Sequence, residues 1–459
     1  MLPLLALFLT LAFILWLLAR DFKARPSLSP AIWIPQVWLL LMGSRSLALW
    51  FGAPVTGDAQ LDGSPLDRAA LLALMAAGLL VLIKRRVNWS NIVADNKWLF
   101  IFFLYLGLST LWSEYPFVAF KRWIKDVGNI LIVLVILGER NPVEAVKAVF
   151  LRCAYVLVPM SVLVIKYFPD LGRSYSPWTG VCQYCGVCTN KNMLGVTLIV
   201  YGIVLFWEML ELHDEQSRTG RKFGMSSGLL LIGMVAWLFV KTDCKTGLVC
   251  AILGIGILLG IRLPSIRSRL RRTELYVVAL ALALMLLHSL GITEAFVGAL
   301  GRDVTLTGRT AIWERALSVP INPLFGTGYY SFWIDPNRVE KVTADFFFSL
   351  DEAHNGYLET YLNEGLIGVF LLAVLLISAF WKIRLDLLND EGNYHAARLA
   401  FLVVAIVYDF TEAAFNRMDF IWFILLLAMV GRLLPLPAVE PSRLELSIET
   451  WDRNVHAPR

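Results

Sequence analysis

Three short polar runs, set among long apolar ones, carry the residue types that could do chemistry. They read Leu306-Thr307-Gly308-Arg309-Thr310-Ala311-Ile312-Trp313, then Pro323-Leu324-Phe325-Gly326-Thr327-Gly328-Tyr329-Tyr330, then His354-Asn355-Gly356-Tyr357-Leu358. The guanidinium of Arg309 is a planar fork of N–H donors that fits a phosphate with two parallel hydrogen bonds. His354 is one of five histidines in 459 residues, and an imidazole can accept a proton from an attacking hydroxyl near neutral pH. Trp313, Tyr329, Tyr330 and Trp333 offer flat faces and polar edges suited to a sugar ring, and Tyr357 joins them as a substrate-binding candidate. Plainer roles compete with each: loop anchoring for Arg309, capping or packing for His354, and interface belt or core for the aromatics.

Other cations belong to the same expectation. Lys241-Thr242-Asp243-Cys244-Lys245-Thr246-Gly247 is a polar break between two apolar runs. A charge at that depth points to function, so Lys245 is a phosphate candidate, whereas Lys241 fits snorkelling. Arg122 and Lys125 follow Trp112-Ser113-Glu114-Tyr115-Pro116 in an amphipathic segment, where they guide a lipid diphosphate or meet headgroups. Lys191 and Arg315 complete the set of candidate substrate-binding cations. No Asp-x-Asp pair or metal-ligand cluster accompanies them in the sequence, so no metal or cofactor is expected.

The elements that must position these groups follow from composition. Hydrophobic residues make up 58% of the chain and charged residues 17%, against about 25% charged in soluble domains. The mean hydropathy is +0.66. This is the signature of an all-α polytopic membrane protein, because open sheet edges cannot be satisfied in hydrocarbon. The net charge of +5 gives no ground for nucleic-acid binding, since membrane proteins gather Lys and Arg in cytoplasmic loops. At about 20 apolar residues per crossing, spans are expected near 2–19, 31–52, 68–83, 97–112, 127–138, 146–167, 192–210, 226–240, 246–262, 274–292, 365–382, 397–411 and 419–434. That is roughly 12–13 helices, with 127–138 a candidate half-inserted segment.

Basic loops at Arg20/Lys23/Arg25, Lys84/Arg85/Arg86, Arg218/Arg221/Lys222, Arg267/Arg269/Arg271/Arg272 and Lys382/Arg384 fall on one side, which the positive-inside rule makes cytoplasmic. The chain then divides into an N-terminal bundle (1–292), a large outer loop (293–364), C-terminal spans (365–435) and a cytoplasmic tail (436–459). The loop holds two short helices. Thr307 can cap the first, in which Arg309, Ile312, Trp313 and Ala316 share a face. The second starts near Asp351 and stacks His354, Tyr357, Leu358 and Tyr361. Cys182, Cys185, Cys188 and Cys244 fall on the outer side, where disulfides persist; bridges, free thiols and a metal cluster all fit their spacing.

The three loop runs resemble the O-antigen ligase, O-antigen polymerase and exopolysaccharide polymerase superfamily. Thr189-Asn190-Lys191-Asn192-Met193-Leu194-Gly195 is similar to that family's His-Lys-Asn-x-Leu-Gly segment, with Asn190 in the histidine position. Lys245-Thr246 is similar to its Ser-x-Ser-Lys/Arg-Thr box, with Thr242 and Cys244 in place of the serines. Lysine at 245, where ligases usually carry arginine, leans toward the exopolysaccharide-polymerase branch. The resemblance implies a metal-independent glycosyltransferase of the C type, acting at the periplasmic face of a bacterial inner membrane. Its donor would be an undecaprenyl-diphosphate-linked oligosaccharide and its acceptor a glycan or lipid A core, with membrane lipid around it and other export components as possible partners. On matching positions Arg309 and Lys245 would hold the diphosphate, and His354 would act as base or orient the acceptor. The competing class is a transporter or flippase of an amphipathic solute, which should show two repeated halves with broken helices; no internal repeat is evident.

Overall fold

The computed structural model describes residues 2–52, 64–175, 180–219, 225–270, 309–344, 350–389 and 392–430. The expected span at 274–292, the tail 436–459 and the Thr307 cap lie outside these residues. The longer described helices are α1 (Leu2–Ala24), α2 (Trp33–Met42), α3 (Pro65–Lys84), α4 (Trp89–Asp95), α5 (Lys97–Ser109), α6 (Pro116–Leu137), α7 (Pro142–Tyr167), α8 (Lys191–Thr219), α9 (Met225–Thr242), α10 (Lys245–Ile261), α11 (Arg309–Ser318), α12 (Pro336–Thr343), α13 (Gly356–Asn389), α14 (Asn393–Tyr408) and α15 (Phe420–Met429). Six are long and apolar enough to cross a membrane alone, or up to seven if the bent pair at 89–112 is one span. The protein is a multi-pass, all-α membrane protein.

The bundle is layered around α7 and α15. Helix α15 is buried along its whole length, and α7 is apolar on almost every side, the pattern of a helix enclosed by others. Helices α1 and α3 instead show most of their apolar surface, Leu72 and Leu80 among it, as lipid-facing helices do. Three expectations change. The span foreseen at 31–52 stops at Met42, because Arg45 turns aside to donate from Nε to the Cys188 carbonyl at 3.1 Å. Residues 127–138, foreseen as a separate short segment, are the buried end of the 22-residue helix α6. A two-stranded hairpin, Arg173–Tyr175 against Cys182–Tyr184, occurs in the cysteine loop where no strand was foreseen. The six thiols are unpaired, and Cys188 donates to the Gly43 carbonyl at 3.3 Å.

Charge separates the two ends. At one, Arg25 binds Glu144 and Glu208, Arg85 binds Glu139 and Arg262 binds Asp214. The loop runs that carry the candidate chemistry gather at the other.

A single bend docks that loop on the bundle. Helix α13 runs through the expected boundary at 364/365 but kinks at Gly365, with φ 68° and ψ −167°, a conformation open essentially to glycine. The bend frees backbone groups, and the Pro323–Gly328 turn supplies their partners. Leu366 N–H donates to the Pro323 carbonyl at 2.9 Å and Ile367 N–H to the Leu324 carbonyl at 3.2 Å. Thr327 and Gly328 donate back to the carbonyls of Leu362 and Asn363 at 3.1 and 2.8 Å. Asn363 Oδ1 then accepts from the N–H groups of Ser331 and Phe332. A Cβ at position 365 would overlap the Leu324 backbone. Gly365→Ala should therefore lower stability by about 1–3 kcal/mol, measured as a reduced thermal midpoint in detergent; an unchanged midpoint would contradict this account of the kink.

Candidate active site at the polar end of the bundle

His354 does not sit on a helix. Asn355 Oδ1 accepts from the N–H groups of Tyr357 and Leu358 at 3.0 and 2.9 Å, so Asn355 caps α13 and the helix begins at Gly356 rather than near Asp351. His354 precedes the cap with φ 51° and is not stacked with Tyr357 and Tyr361 as expected. Gly356 N–H donates to the carbonyls of Asp409 and Glu412 at 2.8 and 2.9 Å, and a Cβ there would collide with the Asp409 carboxylate. The His-Asn-Gly-Tyr run is thereby pressed onto 409–419, the connection between α14 and α15.

From that contact grows a chain of alternating charges. Arg309 donates from Nη1 to the Thr411 carbonyl and from Nη2 to Glu412 Oε1 at 2.7 Å. His354 Nδ1 lies 3.4 Å from Glu412 Oε2 and 2.7 Å from Glu352 Oε1. Glu352 pairs in turn with Arg417. Burial works against the charged imidazole, but hydrogen bonds to Glu352 and Glu412 outweigh it and raise His354 to about 9. Burial also opposes the Glu352 carboxylate, yet His354 and Arg417 hold it down at about 2. At neutral pH the histidine is therefore an imidazolium between two carboxylates. Arg417 also lies 3.8 Å from Glu359, so Arg309, His354 and Arg417 alternate with Glu352, Glu359 and Glu412 along the chain.

Lys245 stands beside it. An open groove of about 620 Å³ runs between α10 and α14, lined by Lys245, Thr246, Tyr357, Ile406, Phe410 and Thr411 among others. Thr411 is the residue whose carbonyl holds Arg309, so the groove ends at the charged chain. Its rim is apolar and exposed: Val249 is 60% accessible and Phe410 54%. Lys191, at the start of α8, is within electrostatic reach of Cys244, the residue before Lys245. An anionic headgroup on an apolar chain matches this combination.

The remaining expected residues divide. Trp313 Nε1 donates to the Ala353 carbonyl at 2.9 Å, bracing the segment before His354. Tyr330 is within cation–π reach of both Arg417, at 5.2 Å, and Arg122, at 4.3 Å. Tyr357 lines the groove and donates to the Ile406 carbonyl at 2.9 Å. Tyr329 is 1% accessible and gives its hydroxyl to the Asn416 carbonyl at 2.9 Å, so it cannot stack on a sugar; it props the 409–419 connection. Arg315 is exposed on α11, pointing away from the buried Ile312 and Ala316. Glu352, Thr411, Glu412 and Arg417 were missed. The available signal was the polar interval Asp409–Asp419 between two apolar runs.

Glu352, His354 and Glu412 also bring ligand atoms within 4.8 Å of one another, a grouping that could hold a metal ion and that the sequence did not announce. The donor set fits a cation poorly. Both carboxylates already bind guanidinium groups, and a metal would have to displace the imidazolium proton.

Residues 228–373 match the family model described as O-antigen ligase, a stretch containing Lys245, Arg309 and His354. Over this stretch the chain is similar to the O-antigen ligase and polymerase family. It is 25% identical over 323 residues to the exopolysaccharide production protein ExoQ of Rhizobium meliloti (strain 1021), covering 68% of this chain and 71% of the relative. It is 22% identical over 373 residues to an uncharacterized protein of Haemophilus influenzae, covering 75% and 88% of the two chains. These likenesses support a membrane enzyme of glycan ligation or polymerisation. Glu412 and Arg417 lie beyond the matched stretch, and they complete the charged chain.

The imidazolium contributes stability that is complete below its unfolded value of 6.5 and is lost as pH rises through about 9. The Glu352 pairing contributes above 4.5 and is lost as pH falls toward about 2. The thermal midpoint in detergent should thus be flat between these limits and decline on the alkaline side. In Glu352→Gln the decline should still start near 6.5 but be smaller and level off at lower pH; an identical profile in the variant would contradict the assigned pairing.

Proposed function

We propose that this protein is a metal-independent glycosyltransferase that polymerises or ligates glycans carried on undecaprenyl diphosphate, working at the periplasmic face of a bacterial inner membrane. The observation that carries the reading is that Arg309 and His354 share one carboxylate, Glu412, at the end of the apolar groove lined by Lys245. The lipid chain would lie along the α10–α14 rim, with its diphosphate between Lys245 and Arg309. The periplasmic assignment is supported by the basic loops of the opposite end.

In the reaction, the acceptor hydroxyl oxygen bonds to the anomeric carbon of the donor sugar as the bond from that carbon to the phosphate oxygen breaks. The electron pair leaves on the diphosphate, where Lys245 and Arg309 meet the developing charge; removing one such donor typically costs about 10² to 10³ in rate. The hydroxyl proton is taken up by the coupled Glu352–His354–Glu412 unit. Because His354 is already protonated at neutral pH and Glu352 is held at about 2, His354 takes the second of its two expected roles, orienting the acceptor, and the Glu412 carboxylate receives the proton. Tyr330 and Trp333 are the aromatic surfaces left for sugar.

Removing Arg309 alone would take one of its two cationic neighbours from Glu412, so structural and catalytic effects need separating. Arg309→Gln with Glu412→Gln should regain the thermal stability lost by Arg309→Gln alone while restoring no glycan transfer. Transfer by purified wild type should persist in EDTA. On glycan gels from a deletion strain, loss of long chains with single units retained marks a polymerase, and free polymer that never reaches its acceptor marks a ligase. Wild-type polymer from the double variant would refute the assignment of Arg309.

A further inference from the structure

A groove between α7 and α9 takes no part in the site described above. It is open and about 360 Å³ in volume. Its α9 wall is a stripe at every fourth residue, Leu229, Gly233 and Trp237, and its α7 wall carries Val162 and Lys166, also four apart. Residues at that spacing stack on one helix face. One more turn of the α9 stripe reaches Lys241. Each wall is therefore apolar along its length and ends in a lysine, at the end of the bundle that carries Lys245. Leu229 and Leu230 are 58% and 50% accessible, as on a face turned to lipid. A Cβ added at Gly233 would meet nothing within 4 Å, so the glycine leaves the middle of the groove open.

A circuit of cations and rings frames the mouth. Lys241 Nζ lies 5.7 Å from the Trp237 ring and 5.5 Å from the Tyr184 ring, and the Arg173 guanidinium lies 5.6 Å from the same tyrosine. Arg173 donates from Nε and Nη2 to the Ile165 carbonyl at 3.1 and 2.9 Å, which returns the circuit to α7 beside Lys166. That contact gives the last turn of α7 its cation, so Lys166 is not needed there. Among the described residues neither Lys166 nor Lys241 forms an ion pair; the acids of this end, Asp170 and Asp243, are exposed. Ammonium groups beside aromatic rings, above an apolar stripe, fit a phosphodiester carried on acyl chains. A choline headgroup would bring its own cation against the lysines. We propose that the α7–α9 groove is a site for one anionic phospholipid of the phosphatidylglycerol class. Lys166 and Lys241 hold its phosphate, and an acyl chain lies along Val162, Gly233 and Leu229. Lys241 and Lys245 flank the short break between α9 and α10, so the lipid that holds one steadies the corner that presents the other.

Native mass spectrometry of the full chain in detergent, titrated separately with phosphatidylglycerol and phosphatidylcholine, tests this. Wild type should bind its first phosphatidylglycerol about tenfold or more tightly than phosphatidylcholine, the scale of two lysines at an anionic headgroup. Lys166→Gln with Lys241→Gln should abolish that preference. Gly233→Leu should weaken phosphatidylglycerol by filling the groove, yet keep the thermal midpoint, since leucine suits a helix better than glycine and its Cβ meets no neighbour. Lys245→Gln should bind phosphatidylglycerol as wild type does, which separates this groove from the one between α10 and α14. Equal affinity for the two phospholipids, unchanged binding in Gly233→Leu, or loss of binding in Lys245→Gln overturns the site. Tighter binding of undecaprenyl diphosphate than of phosphatidylglycerol to Lys245→Gln also overturns it, because the groove would then read a diphosphate rather than a phosphodiester.

Discussion

Pairing of charges at the polar end of the bundle is the constraint on which the rest depends. Arg309, Glu412, His354, Glu352 and Arg417 come from three separate segments, and each charge lies between partners of opposite sign. Ions withdrawn from water cost several kcal/mol apiece unless they are matched. The loop, the start of α13 and the α14–α15 connection therefore have one arrangement in which all are satisfied. The same pairing sets the Arg309 fork at the end of a groove open to lipid. A diphosphate can compete with Glu412 for the Arg309 fork, since both offer oxygens at the same spacing. Occupied or not, the guanidinium has an anion to hold.

Precision at this end is inherited from the backbone. The kink at Gly365 breaks a long helix where the Pro323–Gly328 turn can replace the lost hydrogen bonds, and Asn363 ties the same turn to the aromatic residues after it. Tyr329 then reaches into the bundle to support the connection bearing Arg417. Neighbouring Tyr330 is half-buried between Arg122 and Arg417. Adjacent tyrosines thus serve different purposes, one as a buried prop and one as a ring held between two guanidiniums.

Apolar run length made the helices legible, because a crossing in hydrocarbon needs a certain number of residues and little else. Arg309, Lys245 and His354 were legible because charged and titratable groups stand out in a greasy chain. Their partners were not: Arg309 and Glu412 are 103 positions apart, and nothing local marks one as belonging to the other. Tyr329 looked like a sugar platform because burial is a property of packing, invisible in a loop rich in aromatics. His354 was placed on a helix because periodicity alone cannot say that Asn355 would take the cap. The shift matters chemically, since an imidazole ahead of the cap meets two glutamates instead of two tyrosines.

The most direct test is a structure of the chain in a lipid nanodisc with a slowly transferred undecaprenyl-diphosphate glycan bound. The account expects the diphosphate between the Lys245 ammonium and the Arg309 guanidinium, the prenyl chain along α10 and α14, and the anomeric carbon facing His354 and Glu412. A diphosphate bound elsewhere, with Arg309 and Glu412 still paired and the groove filled by ordinary phospholipid, would contradict it.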